Sequence, residues 1–172
     1  MEKWYKVAGY LADRLAELKG VDEIDLLTLN KVLYFAQRES YVRDREPLFD
    51  IDKFKAAPLG PVIIALKKRL KEKRLTTRPE ASWIDAHKAL LDFVVAHYGK
   101  MSAYTLSNLS HLEISWRNAV DRATDVRRYE PISDSDIQID ALKIRMRDES
   151  ITEPKNWLNN HEANAGARGM AW

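Results

Sequence analysis

The sequence predicts an all-α protein: a mainly helical single globular domain with at most a small β element. Three observations carry this. Apolar residues near the N-terminus recur at helical spacing, in one stripe of Trp4, Val7, Ala8, Leu11, Leu15 and Leu18. A second segment, roughly 25–44, is apolar around more than half of its circumference, as a helix buried among several neighbours must be. Glycine and proline then punctuate the chain between further helical patterns, and there is no internal repeat.

The elements follow in order. Gly20 sits where a helix C-terminus favours a residue tolerant of positive φ. Asp22 and Asp25 offer caps for the next helix. That helix is the expected hub, with Leu26, Leu29, Val32, Leu33, Phe35 and Ala36 in the core. Its remaining stripe holds Asn30, Lys31, Tyr34, Gln37, Arg38 and Tyr41. Two readings of this stripe stand side by side: polar groups beneath a covering loop, or an interface, because tyrosine joins a large contact area to a polar tip.

Pro47, Gly60 and Pro61 break the following stretch. Leu48-Phe49 and Phe54 lack a helical period, which predicts an irregular segment with room for a short strand. Gly60-Pro61 is expected to restart a helix, since proline suits the first helical position. Val62, Ile63, Leu66 and Leu70 would face inward, and cations from Lys67 to Arg74 would favour the helix C-terminus. A polar linker covers 76–80. Ser82 and Asp85 resemble a capping box for a helix whose face is Trp83, His87, Leu90, Leu91, Val94 and Tyr98. Gly99 ends it. Ser102 caps a short helix with Leu106 and Leu109 inward, and Trp116 and Val120 belong to another helix or turn. Residues 129–132 read as extended, because the residue before a proline avoids the α region. Ser133 or Asp134 caps a last helix through about Arg147, with Ile137, Ala141 and Ile144 inward. From Ser150 the pattern stops. The expected organisation is a domain over 1–148 and a loosely ordered tail over 149–172, with Trp157 and Trp172 as the tail's large apolar groups.

A chain of 172 residues, 45% apolar and 31% charged, is of the size of one domain with a real core. A net charge of +2 argues against nucleic acid as a partner. No apolar run approaches the ~20 residues that span a bilayer. The N-terminus lacks the apolar stretch of a secretory signal, and the count of 0 cysteines excludes disulfides. A cytoplasmic protein is the default expectation, with no cofactor and no metal. His87, His97, His111 and His161 lack the spacing of a zinc helix motif. Ser110, His111 and Glu113 are near in sequence, but a triad needs spatial convergence and an oxyanion pocket. A structural, hydrogen-bonding role at a helix end is expected for His111. The basic stretch 67–78 reads first as a solvated helix end, second as a phosphate track, third as a docking patch for an acidic protein.

Several pieces in unbroken order resemble a known family. They are Leu29, Lys31, Val32, Leu33, Tyr34, Phe35, Ala36 and Gln37; Pro47-Leu48-Phe49; Leu59-Gly60-Pro61-Val62; Tyr98-Gly99-Lys100-Met101-Ser102-Ala103; Leu109-Ser110-His111; and Ser115-Trp116. Together they are similar to the Panacea domain of SocA-like type II antitoxins from bacteria and phage. Leu59 stands where that family usually has tyrosine, Ala57-Pro58 where it has a tryptophan-containing pair, Ser110 where it has threonine and Ser115 where it has proline. The resemblance implies an antitoxin without enzymatic activity. It would neutralise a cognate protein toxin by direct contact or by delivering it to a protease, and a homo-oligomer stays open. Expected partner-binding residues are Asn30, Tyr34, Gln37, Arg38, Tyr41, Gly60, Pro61 and Trp157. Expected structural residues are Lys31, Leu33, Pro47, Phe49, Tyr98, Gly99, His111 and Trp116. The alternative is a DNA-binding regulatory protein using residues 67–78.

Overall fold

Helix α2 (Leu26–Arg43) is the axis on which everything else is laid. The computed structural model describes residues 1–125 and 128–152. Among them are eight helices and one small antiparallel hairpin: α1 (Trp4–Lys19), α2, β1 (Lys55–Ala57), β2 (Gly60–Val62), α3 (Ile64–Lys71), α4 (Ala81–Ala86), α5 (Lys88–Tyr98), α6 (Ala103–Ser110), α7 (Ile114–Arg122) and α8 (Asp134–Thr152). The fold is mainly helical.

Asp25 starts α2 by accepting the Thr28 amide at 2.7 Å, a side-chain cap for an otherwise orphaned donor. Every residue from Thr28 to Tyr41 is buried. That follows from the neighbours: α1, α3, α5, α6, α8 and β2 all pack on it. Leu29, Val32, Leu33, Phe35 and Ala36 join Val7, Leu11 and Leu15 of α1 and Leu91 and Val94 of α5 in the core. Phe35 stacks on Tyr98 with centroids 4.6 Å apart.

The structure corrects five local expectations. Gly60-Pro61 does not open a helix. It forms β2, paired with β1 in the register Ala57↔Gly60 and Lys55↔Val62, and α3 starts only at Ile64. Gly60 has φ 106, outside the helical region, so the chain enters a strand there. The helix expected to run through His87 is broken there into α4 and α5, and His87 Nδ1 lies 2.8 Å from the Trp83 carbonyl. The residue preceding α4 is Glu80, with no side-chain cap, so Ser82 and Asp85 make no capping box. Leu18 is exposed, outside the stripe of α1. Ser102 does cap α6, accepting the Thr105 amide at 3.1 Å, and Ser133 Oγ accepts the Asp136 amide at 3.1 Å at the start of α8. The extended segment before α8 lies along β1: the Ala56 amide donates to Glu130 O at 2.8 Å. Helix α8 continues to Thr152, beyond the end near Arg147 that its pattern suggested. The remainder of the expected tail, with Trp157, lies outside the described residues.

Candidate functional site

The polar stripe of α2 faces inward. Tyr34 is 0% exposed, and Asn30, Gln37, Arg38 and Tyr41 are also buried. Buried polar groups are costly unless paired, and each of these is paired with something distant in sequence. Gln37 ties down the turn carrying Pro47: Oε1 accepts the amides of Leu48 and Phe49 at 3.0 and 3.1 Å, and Nε2 donates to Phe49 O at 3.2 Å. Nε2 also reaches Asp134 at 3.3 Å, and the Tyr41 hydroxyl donates to the same carboxylate. Tyr34 shares a hydrogen bond of 2.7 Å with Ser115 and donates to Asp140 at 3.3 Å. Asp140 in turn accepts the amides of Ile114 and Ser115, at the N-terminus of α7.

Arg38 forms the most highly charged knot. It donates to Glu113 at 2.6 Å, to Glu39 at 2.9 Å and to the Tyr98 hydroxyl at 2.6 Å. Its guanidinium lies 4.8 Å from the Phe35 ring centroid. Burial opposes the Arg38 charge, but Glu113 and Glu39 hold its pKa above the ordinary value. Burial raises Glu113 to about 7, with Arg38 pulling it down and Asp140 pushing it up. Burial likewise raises Tyr34, Tyr41 and Tyr98, so all three stay protonated at neutral pH. A cavity of about 700 Å³ opens beside this knot, lined among others by Phe35, Arg38, Glu39, Tyr98 and Glu113.

The remaining polar residues of the motifs converge on the hairpin. Lys31 Nζ donates to Pro61 O at 2.9 Å, and Asn30 Oδ1 accepts the Ile63 amide at 2.8 Å. Ser107 donates to Leu59 O at 2.7 Å, and the Trp116 indole donates to Ala57 O at 3.0 Å. A side chain at position 60 would strike Ser110 Oγ at 2.2 Å and Lys31 Cε at 2.8 Å, so only glycine lets the lysine pass. Lys31 is fully buried and has no carboxylate partner among the described residues, and burial lowers its pKa to about 8. Gly60 and Pro61 are therefore the buried base of a tip whose preceding residue, Leu59, is 57% exposed. Beside the tip is an open apolar groove of about 580 Å³, walled by Leu26, Leu27, Leu59, Val62, Ile64 and Tyr129. Ile64 is 54% exposed.

Ser110, His111 and Glu113 do not converge. Ser110 Oγ donates to Ser107 O, Glu113 pairs with Arg38, and His111 stacks on Trp116 at 4.2 Å. His111 Nε2 has no hydrogen-bond partner among the described residues, while the His111 carbonyl accepts from Arg117 Nε at 3.1 Å at the end of α6. Gly99 closes α5 where a side chain would meet Leu15 and Leu18 at 2.9 and 2.8 Å. Among the described residues no group of acids and histidines is placed to hold a metal ion, and no helix is long and apolar enough to cross a membrane. Sequence reasoning singled out Asn30, Lys31 and Trp116 among the anchors but missed Ser107, and it missed Leu59 and Ile64 as exposed apolar residues, which only the folded hairpin turns outward.

A family model described as "Antitoxin SocA-like, Panacea domain" matches residues 29–117. The match begins in α2, contains the hairpin with its four side-chain anchors, and ends in α7. No curated protein and no solved structure matches the chain.

Proposed function

This chain belongs to the family of SocA-like antitoxins with a Panacea domain, and from that premise we propose that it neutralises a cognate protein toxin by direct contact, as the antitoxin of a type II pair in the cytoplasm. The proposed contact surface is the hairpin tip and the groove beside it, on a folding unit spanning 1–148. One observation carries this reading. Four side chains from α2, α6 and α7 fix the backbone of residues 57–63, and that rigid turn holds Leu59 exposed over an apolar groove. A surface ordered in advance spends little entropy on binding, and exposed aliphatic groups around a hollow provide the apolar centre an interface needs.

Asn30, Gly60 and Pro61 then serve recognition from beneath, by shaping the tip. Tyr34, Gln37, Arg38 and Tyr41 hold the turn at 47–49, α7 and α8 against α2. The basic stretch is partly committed within the chain: Arg69 lies 4.1 Å from the Tyr5 ring centroid, Arg74 pairs with Glu72, and Arg78 pairs with Asp13.

The test is co-expression with the product of the neighbouring reading frame. The parent chain should restore growth. Leu59→Asp should abolish rescue while the helical circular dichroism and the melting temperature stay unchanged. Full rescue by a folded Leu59→Asp chain would refute the proposed surface.

A further inference from the structure

The groove does not end at the hairpin. A second hollow of about 500 Å³ is lined by Ile64, Lys67, Lys68, Lys71 and Glu72. Ile64 and Lys67 belong to both, so the two form one trough along α3. Residues 64, 67, 68 and 71 have the spacing of one helix face, and their side chains are exposed. The trough is aliphatic at the hairpin and cationic toward the end of α3. The two ends lie about 10 Å apart at ~1.5 Å per helical residue.

The cations are under-compensated. Lys67 and Lys71 have no ion-pair partner among the described residues. Lys68 has only Glu72, at 3.9 Å, and Arg74 holds the same carboxylate at 3.1 Å. Favourable placement at a helix C-terminus accounts for cations in the last turn. It does not account for an exposed isoleucine and an apolar hollow continuing the same face.

We infer that the trough takes an amphipathic peptide segment of the partner, with aliphatic anchors at the hairpin end and clustered carboxylates against Lys67, Lys68 and Lys71. This rests on the reading that the hairpin is the contact surface, and it adds the chemistry of what binds there. Helices laid into grooves are recognised through anchors spaced at three and four residues. The lysine bank supplies what such a groove lacks, a sense of direction, because complementary charge fixes register and speeds encounter. A nucleic acid fits less well: Tyr129 is the single aromatic group among the described residues that line the groove, whereas single strands are held by stacking successive bases on several rings.

Fluorescence anisotropy on the full chain tests this with designed labelled probes. The first is a short helical peptide carrying two leucines followed by three glutamates. The controls replace its glutamates by lysines, or its leucines by serines; the last probe is a short DNA duplex. The acidic probe should bind roughly tenfold or more tightly than the lysine probe at low salt, and the gap should close near 1 M salt as charges are screened. Lys67→Glu with Lys71→Glu should invert the preference. The serine probe should lose binding, as should Leu59→Asp with the acidic probe. Absent binding of the acidic probe, or a preference that survives the charge reversal, overturns the inference. Tighter binding of the duplex that is lost on charge reversal does so too, in favour of a phosphate partner. Growth rescue separates the two claims. If the lysine reversal leaves rescue intact while Leu59→Asp abolishes it, the charge inference falls and the hairpin surface stands. If both variants rescue, both fall.

Discussion

Helices α2 and α3 meet across one hairpin and obey opposite rules. Helix α2 carries asparagine, lysine, glutamine, arginine, glutamate and two tyrosines in its buried stretch. Helix α3 buries Leu66 and leaves Ile64 and three lysines outside. The usual division of polar outside and apolar inside is reversed at both. In α2 the reversal is stabilised by partners: Asn30, Lys31, Tyr34, Gln37, Arg38, Glu39 and Tyr41 each find a carboxylate, a hydroxyl or a backbone atom outside the helix, although Arg38 Nε has none among the described residues. In α3, Ile64, Lys67 and Lys71 are exposed, and the two lysines have no ion-pair partner among the described residues. The buried polar groups specify where the hairpin and loops lie, and the exposed apolar groups are what that placement presents. The proposed interface is thus marked by what is left uncovered and not by which residues look sticky in sequence.

Breaking the α2 side should give the largest effects. Arg38→Ala removes the cation paired with both Glu39 and Glu113 and leaves two buried carboxylates without it. A loss of roughly 3–5 kcal/mol is expected, read by urea denaturation. A loss below about 1 kcal/mol would mean the knot is solvated and does not organise the core. Next comes Gly60→Ala. The φ of 106 and the approach of Ser110 and Lys31 both oppose a side chain, so a cost of about 1–3 kcal/mol from backbone strain alone is expected. The same variant should weaken toxin neutralisation by moving the tip.

Lys31 sharpens the comparison through pH. Its folded pKa of about 8 lies below the ordinary 10.5. Between those values the unfolded chain holds a proton that the folded chain has lost, so unfolding takes up a proton and stability rises with pH across that window. The rise due to this group should amount to at most about 3 kcal/mol. Lys31→Met should remove it, and parallel stability profiles of parent and variant between the two pH values would contradict a buried, uncompensated lysine. The smallest effect belongs to α3. Lys67→Glu with Lys71→Glu should change stability by less than about 0.5 kcal/mol in the same denaturation experiment, as exposed substitutions do. A larger loss would place these lysines in the fold and not on a free surface.

Much of this was legible in the sequence wherever the signal is local. The stripe of α1, the hub character of α2, and the serine caps of α6 and α8 rest on spacing within one or two turns. The hairpin was not legible, because Gly60-Pro61 carries the same local signal as a helix start. What decides the outcome is Lys31, thirty residues earlier, reaching Pro61 O through the space a glycine leaves. The polar stripe was left between two readings, buried beneath a covering segment or exposed at an interface, for the same reason. The partners of Tyr34, Gln37 and Tyr41 are Ser115, Asp134 and Asp140, far along the chain on α7 and α8. The family motif contains Gly60 and Pro61 and passes over Asn30, and neither Leu59 nor Ile64 had a pattern to announce its exposure.

The central claim is that α2 organises and the hairpin with α3 presents. Hydrogen–deuterium exchange, comparing the free chain with its complex with the toxin, tests it most directly. New protection should appear at residues 57–71 and leave α2 unchanged, since its amides are already buried. Protection confined to α5 and α8 around the cavity beside Arg38, with residues 57–71 exchanging as in the free chain, would contradict it.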